Sequence, residues 1–324
     1  MRHRFHSICP YFAMFPESFA ETWISNLTKR GDTVLDLFSG RGTTATCALL
    51  LGRKAIASDV NDVAYCLTKA KAQAPTQAAV SKRIRELSAN YTSRAIAKRA
   101  DKLPRFFRHA FHDKTLYQLL YLRKALDWRT RRTDAMIAAL SLGALHGEAD
   151  KSTSYFSNQM PRTISTKPAY SIRYWKQHSL KAPERDVFEL LRKAVKYRYE
   201  SEAPKGEALV INRDMRQLPL EMKDFPGPIR CVITSPPYFD VTNFEEDQWL
   251  RLWFLGGPPQ PTRNRLSHDD RYTFNRHYWR FISDMWRSLG RDFPDGPVGK
   301  RSRHSLVSSL TAAPPPRVKR VAIF

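Results

Sequence analysis

Apolar positions along the chain fall into two patterns: short strand-length runs closed by acids or glycines, and longer Ala/Leu-rich stretches at helical spacing. In "GDTVLDLFSGRGTTATCALLLGRKAIASDVND" (31–62), residues 33–37 form a strand-length run and 43–51 carry a helical pattern. Residues 54–58 form a second strand that ends on Asp59. Strand, glycine-containing turn, helix, strand and acid compose one βαβ unit of a doubly wound α/β sheet. From about Asn61 to Lys205 the pattern is mainly helical, and the α/β character returns at "EALVINRD" (207–214) and "IRCVITSPPY" (229–238). Within the helical stretch, "YFSNQMPRTISTKPAYSIRYW" (155–175) is polar, aromatic and broken by two prolines, which predicts a loop. Residues 256–271 predict another loop and 274–289 an amphipathic helix. The basic, Pro- and Ser-rich end has strand character only in "RVKRVAIF".

Charge changes the picture most. The 54 Lys+Arg against 31 Asp+Glu leave the 324 residues at +23. An excess of this size points to a polyanionic partner, most simply nucleic acid. It concentrates in residues 81–134, where 15 basic residues face 5 acidic ones, and where "LPRFFRHAFHDKTLYQLLYLRKALDW" (103–128) interleaves aromatic and basic positions. That interleaving fits either nucleic-acid contact or a helical core with a solvated face. Cys9, Cys47, Cys66 and Cys231 show neither a C-x-x-C pair nor zinc spacing, so they are expected to be reduced, in a cytoplasmic protein that holds no metal. No apolar run reaches membrane-spanning length, and the N-terminus lacks the features of a cleaved leader.

Two motifs carry chemistry. In "DLFSGRGTT" (36–44), Gly40 and Gly42 permit a tight turn and close approach of a ligand to the backbone. Asp59, 17 positions beyond Gly42, suits ribose hydroxyls. The third glycine of a dinucleotide fingerprint is replaced by Thr43-Thr44, which argues for a cofactor without a pyrophosphate. In "TSPPY" (234–238), a strand stops on a serine, two prolines and an aromatic ring. The lone pair of an exocyclic base amine is delocalised into its ring, so acceptors aimed at the amine hydrogens both hold it and favour its attack. The Ser235 hydroxyl and the Pro236 carbonyl are such acceptors. Pro237, with fixed φ, aims that carbonyl, and Tyr238 offers a face for an extruded base.

Together these stretches resemble the amino-methylating DNA methyltransferases. "DLFSGRGTT" is similar to their D-P-F-x-G-x-G-T-T motif, "TSPPY" to (D/N/S)-P-P-(Y/F), and "CPYFAMFPESFAETWI" (9–24) to their segment that folds against the methionine end of S-adenosylmethionine. The resemblance implies a Rossmann-like class I methyltransferase sheet with S-adenosylmethionine as cofactor. It assigns Asp36, Phe38, Gly40, Gly42, Thr43 and Thr44 to the methionine end, Asp59 to the ribose, Asp214 to the adenine amine, and Phe15 with Pro16 to closing the pocket. Ser235, Pro236, Pro237 and Tyr238 become the catalytic residues. Ser-Pro-Pro-Tyr, in place of Asp-Pro-Pro-Tyr, favours N4 of cytosine over N6 of adenine. C5 methylation is disfavoured, because Cys231 lies inside a strand and Cys9 precedes the cofactor motif. The implied partner is double-stranded DNA, with a cognate restriction endonuclease in a restriction–modification system. RNA amine methylation and a catalytically incomplete DNA-binding protein are the alternatives.

Two departures follow. The 155 residues from Asp59 to Asp214 imply a large, mainly helical insertion between strands 2 and 3, and the C-terminal strands of such a sheet are not evident. The expected organisation is therefore 1–60 for the cofactor-binding part, 61–205 for a basic insertion contacting DNA, 206–290 for the catalytic part, and 291–324 for a basic tail. Arg162, Lys167, Arg173 and Tyr174 are the candidate DNA contacts.

Overall fold

The computed structural model describes residues 3–11, 15–94, 96–148, 154–160, 167–214, 229–235, 244–262 and 321–323. Their strands are β1 (Thr33–Asp36), β2 (Lys54–Ser58), β3 (Ala208–Ile211), β4 (Ile229–Thr234) and β5 (Val321–Ile323), in the order β3-β2-β1-β4-β5. All four pairings are parallel. β1 is buried along its whole length, as a central strand of a parallel sheet covered on both faces must be. Between β1 and β2 runs α2 (Thr43–Leu50), beside α1 (Glu17–Leu27). Ala20 and Ile24 of α1 and Ala45 and Ala48 of α2 pack with Val34, Ala55, Cys231 and Ile233 of the sheet.

Among the described residues, eight helices separate the paired neighbours β2 and β3: α3 (Asp62–Ala72), α4 (Gln77–Ala89), α5 (Ala97–Ala100), α6 (Arg105–Ala110), α7 (Asp113–Ala125), α8 (Arg132–Ala144), α9 (Pro168–Gln177) and α10 (Val187–Arg198). Short helices α11 (Phe244–Asp247) and α12 (Trp249–Phe254) follow β4. Several starts are capped as their sequences require: the side chains of Asn61, Thr76 and Asp186 accept amide hydrogens from the first turns of α3, α4 and α10. The larger core joins Val63 and Leu67, Met136 and Ile137, Phe107 and Phe111, Phe188, and Trp253 with Phe5 and Ile8 from the N-terminal segment. This core thus draws on three stretches of chain that are remote in sequence.

Two expectations change. Residues 168–177, read as loop, are helix α9: Pro168 stands in the first turn, where its missing N–H costs nothing, and Ser171 and Trp175 bury one face at i, i+4 spacing. The indole of Trp175 donates to the Gln159 carbonyl at 2.8 Å, fixing the helix on the preceding segment. The aromatics Phe106, Phe107, Phe111 and Trp128 of 103–128 are buried core, while Arg105, Arg108, Lys114 and Lys124 are exposed. The strand expected over 207–214 is shorter, Ala208–Ile211. From "RVKRVAIF", Val321–Ile323 pairs with Val232–Thr234 as the fifth strand. The helix expected over 274–289 lies outside the described residues. All four cysteines are free and buried. Among the described residues, no helix is long and apolar enough to cross a membrane, and no cluster of His, Cys, Asp and Glu has metal-site geometry.

Candidate functional site

In an open parallel sheet, ligands bind beyond the carboxyl ends of the strands where the strand order reverses. Here that point lies at β1, between β2 and β4. Asp36 ends β1, the Gly40–Gly42 turn follows it, Asp59 follows β2, Asp214 follows β3, and Ser235 follows β4. The sheet therefore gathers at one edge residues that the chain separates by up to about two hundred positions.

Hydrogen bonds fix the geometry. The Thr234 hydroxyl donates to Asp36 Oδ1 at 2.8 Å and accepts the amides of Leu37 (3.2 Å) and Phe38 (3.1 Å). One hydroxyl thus uses its hydrogen and both lone pairs to join the ends of β1 and β4, and it stations Ser235, half-buried, beside the turn. The Phe38 amide also reaches Asp36 Oδ1 at 3.2 Å. Asp36 itself is buried; desolvation pushes its carboxyl up to about 7, opposed by the Thr234 hydroxyl and the Phe38 amide. Sequence reasoning had no local signal for Thr234, whose partners lie nearly two hundred residues upstream.

Across the turn, the Gly40 amide donates to Asp59 Oδ2 and the Asn61 amide to Oδ1, both at 2.9 Å. Burial lifts the Asp59 carboxyl to about 6, against these amides. Gly40 and Gly42 have φ of +51° and +78°, in the left-handed region. A Cβ on Gly42 would lie 2.8 Å from Thr68 Oγ1 and 3.0 Å from Thr68 Cα, a backbone atom that cannot swing aside. Thr68 holds its place by donating toward Ser39 Oγ at 3.1 Å. Gly42→Ala is accordingly expected to lower stability by about 1–3 kcal/mol, visible as a fall in Tm, and to distort the turn. An unchanged Tm and an unchanged ligand affinity would show that the turn is not the constrained element.

Thr43 and Thr44 begin α2 and are both buried; Thr44 Oγ1 donates to the Ile233 carbonyl at 3.2 Å, a second tie between the turn and β4. Arg41, inside the turn, points inward: it donates to Thr43 Oγ1 and to the His6 carbonyl at 3.3 Å each, while its own carbonyl accepts from the buried Lys71 at 2.7 Å. Of the N-terminal segment, Tyr11 rather than Phe15 meets the turn. Its ring carbon lies 3.4 Å from the place a Cβ on Gly40 would take. Phe15 packs on Phe19 at 5.4 Å between ring centroids, within the α1–α2 core, and Pro16 is the exposed cap of α1.

The rim beyond Asp59 is held from the α7–α8 connection. Arg129 donates to Asn212 Oδ1 at 2.9 Å and to Asp62 Oδ2 at 2.6 Å, and the Asn212 amide nitrogen donates to the Asp59 carbonyl at 2.9 Å. Ser58 Oγ donates to the Arg213 carbonyl at 3.0 Å, which sets the approach to Asp214. None of these ties was legible locally. Pro236, Pro237, Tyr238 and Arg162 lie outside the described residues. Lys167 and Arg173 are exposed at the start and middle of α9, and Tyr174 is half-buried with its ring 4.3 Å from that of His178.

A family model described as DNA methylase, for N6 and N4 amino-methyltransferases, matches residues 3–70, and this match supports the amino-methylating DNA methyltransferase family. The matched stretch contains Tyr11, Phe15, Asp36, the Gly40–Gly42 turn and Asp59, and ends before Ser235. No curated protein matches the chain.

Proposed function

Starting from the DNA methylases that residues 3–70 match, we propose that the chain transfers a methyl group from S-adenosylmethionine to the N4 amine of cytosine in double-stranded DNA. The observation that carries this reading is the convergence of Asp36, the Gly40–Gly42 turn, Asp59 and Ser235 at the carboxyl ends of β1, β2 and β4. The residues fit the cofactor. Two positive-φ glycines make the tight turn that packs on Tyr11 and Thr68, the Asp59 carboxylate next to it could accept ribose hydroxyls, and the buried Asp36 carboxylate could be neutralised by an ammonium.

S-adenosylmethionine, when bound, supplies a methyl group on a sulfonium sulfur. Asp36 would hold its ammonium, Asp59 its ribose hydroxyls and Asp214 its adenine amine. The first amides of α2, at Thr43 and Thr44, would hold its carboxylate, with Phe38 and Tyr11 lining the turn. Ser235 Oγ and the Pro236 carbonyl accept the two hydrogens of the target amine, so the nitrogen lone pair is directed at the methyl group. Pro237 fixes the carbonyl's direction and Tyr238 stacks on the base, which must leave the duplex to arrive there. The proton released on methylation passes to water. The serine in place of aspartate supports cytosine over adenine, and a partner endonuclease is the natural companion of such an activity.

Arg129 is a positioning residue in this scheme. Arg129→Ala is expected to raise the KM for S-adenosylmethionine about three- to tenfold with kcat little changed, the scale of a partly exposed hydrogen-bonded ion pair. An equal fall in kcat would place Arg129 in the reaction itself. The function is tested by single-molecule sequencing of DNA from cells that express the chain in a background without methylation. N4-methylcytosine in one sequence context is expected; N6-methyladenine would reassign the base, and unmodified DNA would refute the activity.

A further inference from the structure

The positive charge of the helices between β2 and β3 is not evenly neutralised. Around α4, α7 and α10, some cations meet acids: Arg83 with Asp134 at 2.8 Å, Lys114 with Glu184 at 2.7 Å, and Lys193 with Glu189 at 2.5 Å. Beside α10, Lys205 pairs with Glu202 at 2.7 Å. Helices α6 (RFFRHA) and α9 (PAYSIRYWKQ) contain no acid and pack on one another. They pack through Phe106 on Trp175, ring centroids 5.7 Å apart, and leave Arg105, Arg108, Arg173 and Lys176 exposed on the outside, with Lys167 exposed at the cap of α9. Arg108 meets Asp101 at 3.2 Å; among the described residues the other four cations have no acidic partner. The crowding is felt locally: His109 is held below its usual range by burial and then by Lys176 and Arg105. The same surface carries the half-exposed ring of Tyr170, with the Arg173 guanidinium 5.8 Å from its centroid.

We infer that this α6–α9 ridge is the surface that seats the phosphate backbone of duplex DNA, an inference that rests on the DNA-directed activity proposed above. Binding to a polyanion is driven by cations that displace condensed counterions, and a cation already paired with an acid adds little to that. Unpaired cations are therefore the effective ones, and the ridge gathers four of them beside an exposed aromatic ring. The ridge is also tied to the reaction end of β4. Phe106 packs on Trp249 at 5.1 Å and Phe107 on Trp253 at 4.5 Å, and both tryptophans belong to α12, the helix that follows the Ser235 segment. One aromatic core thus joins the ridge to α12, which lies downstream of Ser235 in the chain.

The test compares two full-length variants that each lose three cations: Arg105→Gln/Arg173→Gln/Lys176→Gln on the ridge, and Lys114→Gln/Lys193→Gln/Lys205→Gln at paired positions. Binding to a fluorescent DNA duplex is titrated across a range of salt concentrations, with S-adenosylmethionine binding measured alongside as a check of the fold. The ridge variant should bind at least about tenfold more weakly at low salt, and its plot of log affinity against log salt should flatten by about 3, one per lost phosphate contact. The paired-position variant should follow the wild type within about twofold, the small effect of exposed ion pairs. Wild-type binding that survives unchanged in the ridge variant overturns the ridge while leaving the DNA reading intact. So does a ridge effect confined to an RNA duplex. A wild-type chain without salt-dependent DNA affinity overturns the DNA reading and the ridge with it.

Discussion

Asp36→Asn should bind S-adenosylmethionine about 10- to 100-fold more weakly than the wild type and yet unfold at a higher temperature at pH 8. Both effects come from one buried carboxylate. Asparagine keeps an acceptor for the Thr234 hydroxyl and the Phe38 amide, now at 2.8 and 3.2 Å, so the join between β1 and β4 survives. What is lost is the negative charge that would face the ammonium, and charge-assisted hydrogen bonds contribute about 1.5–3 kcal/mol. The stability gain follows from linkage. An aspartate ionises near 3.8 in the unfolded chain, but burial raises Asp36 to about 7 in the fold. The folded state holds that proton more tightly, so stability falls as pH rises from about 4 through 7, and the full cost of the buried charge is present above pH 7. Removing the charge should therefore stabilise by about 1–3 kcal/mol at pH 8, with the gain fading toward pH 4. In the wild type, cofactor affinity should fall as pH drops below about 7, and in Asp36→Asn only the part owed to Asp59, near 6, should remain. A variant that loses stability at pH 8, or binds the cofactor normally, would show that the carboxylate is structural only.

Ser235→Ala should leave cofactor binding within about twofold and lower the rate of methyl transfer by about 10²–10³, the scale of deleting one preorganised polar contact to a reacting centre. Ser235 follows the strand that Thr234 pins, and no hydrogen bond within the described residues depends on its hydroxyl, so the fold should tolerate the change. Isothermal titration for the cofactor and a single-turnover assay for transfer separate the two outcomes. Equal loss in both would mean that the serine shapes the cofactor site instead of holding the target amine.

Much of the cofactor end was legible because its determinants are local. The run 31–62 encodes β1, α2 and β2 to within a residue, and Gly40 and Gly42 supply the positive φ of the turn between β1 and α2. What was illegible is nonlocal. Thr234 reads as the last residue of an apolar strand, and its role exists only once β4 lies beside β1. Arg129 reads as one basic residue among many, and becomes a rim residue only because the α7–α8 connection reaches Asn212 and Asp62. α9 was misread because prolines and hydroxyl residues dominate its approach, although Pro168 sits where a helix accepts proline. The basic-aromatic stretch 103–128 was ambiguous for a physical reason. The same aromatic spacing serves a helical core or a stacking surface, and packing against Trp175, Trp249 and Trp253 decides for the core.

The central claim is methyl transfer to a base amine. The most direct measurement incubates the purified full chain with isotopically labelled S-adenosylmethionine and mixed-sequence duplex DNA, digests the product to nucleosides and identifies them by mass spectrometry. Label is expected in N4-methyldeoxycytidine and absent with Ser235→Ala. Label on carbon 5 of cytosine, or no label in DNA from a chain that binds the cofactor, would contradict it.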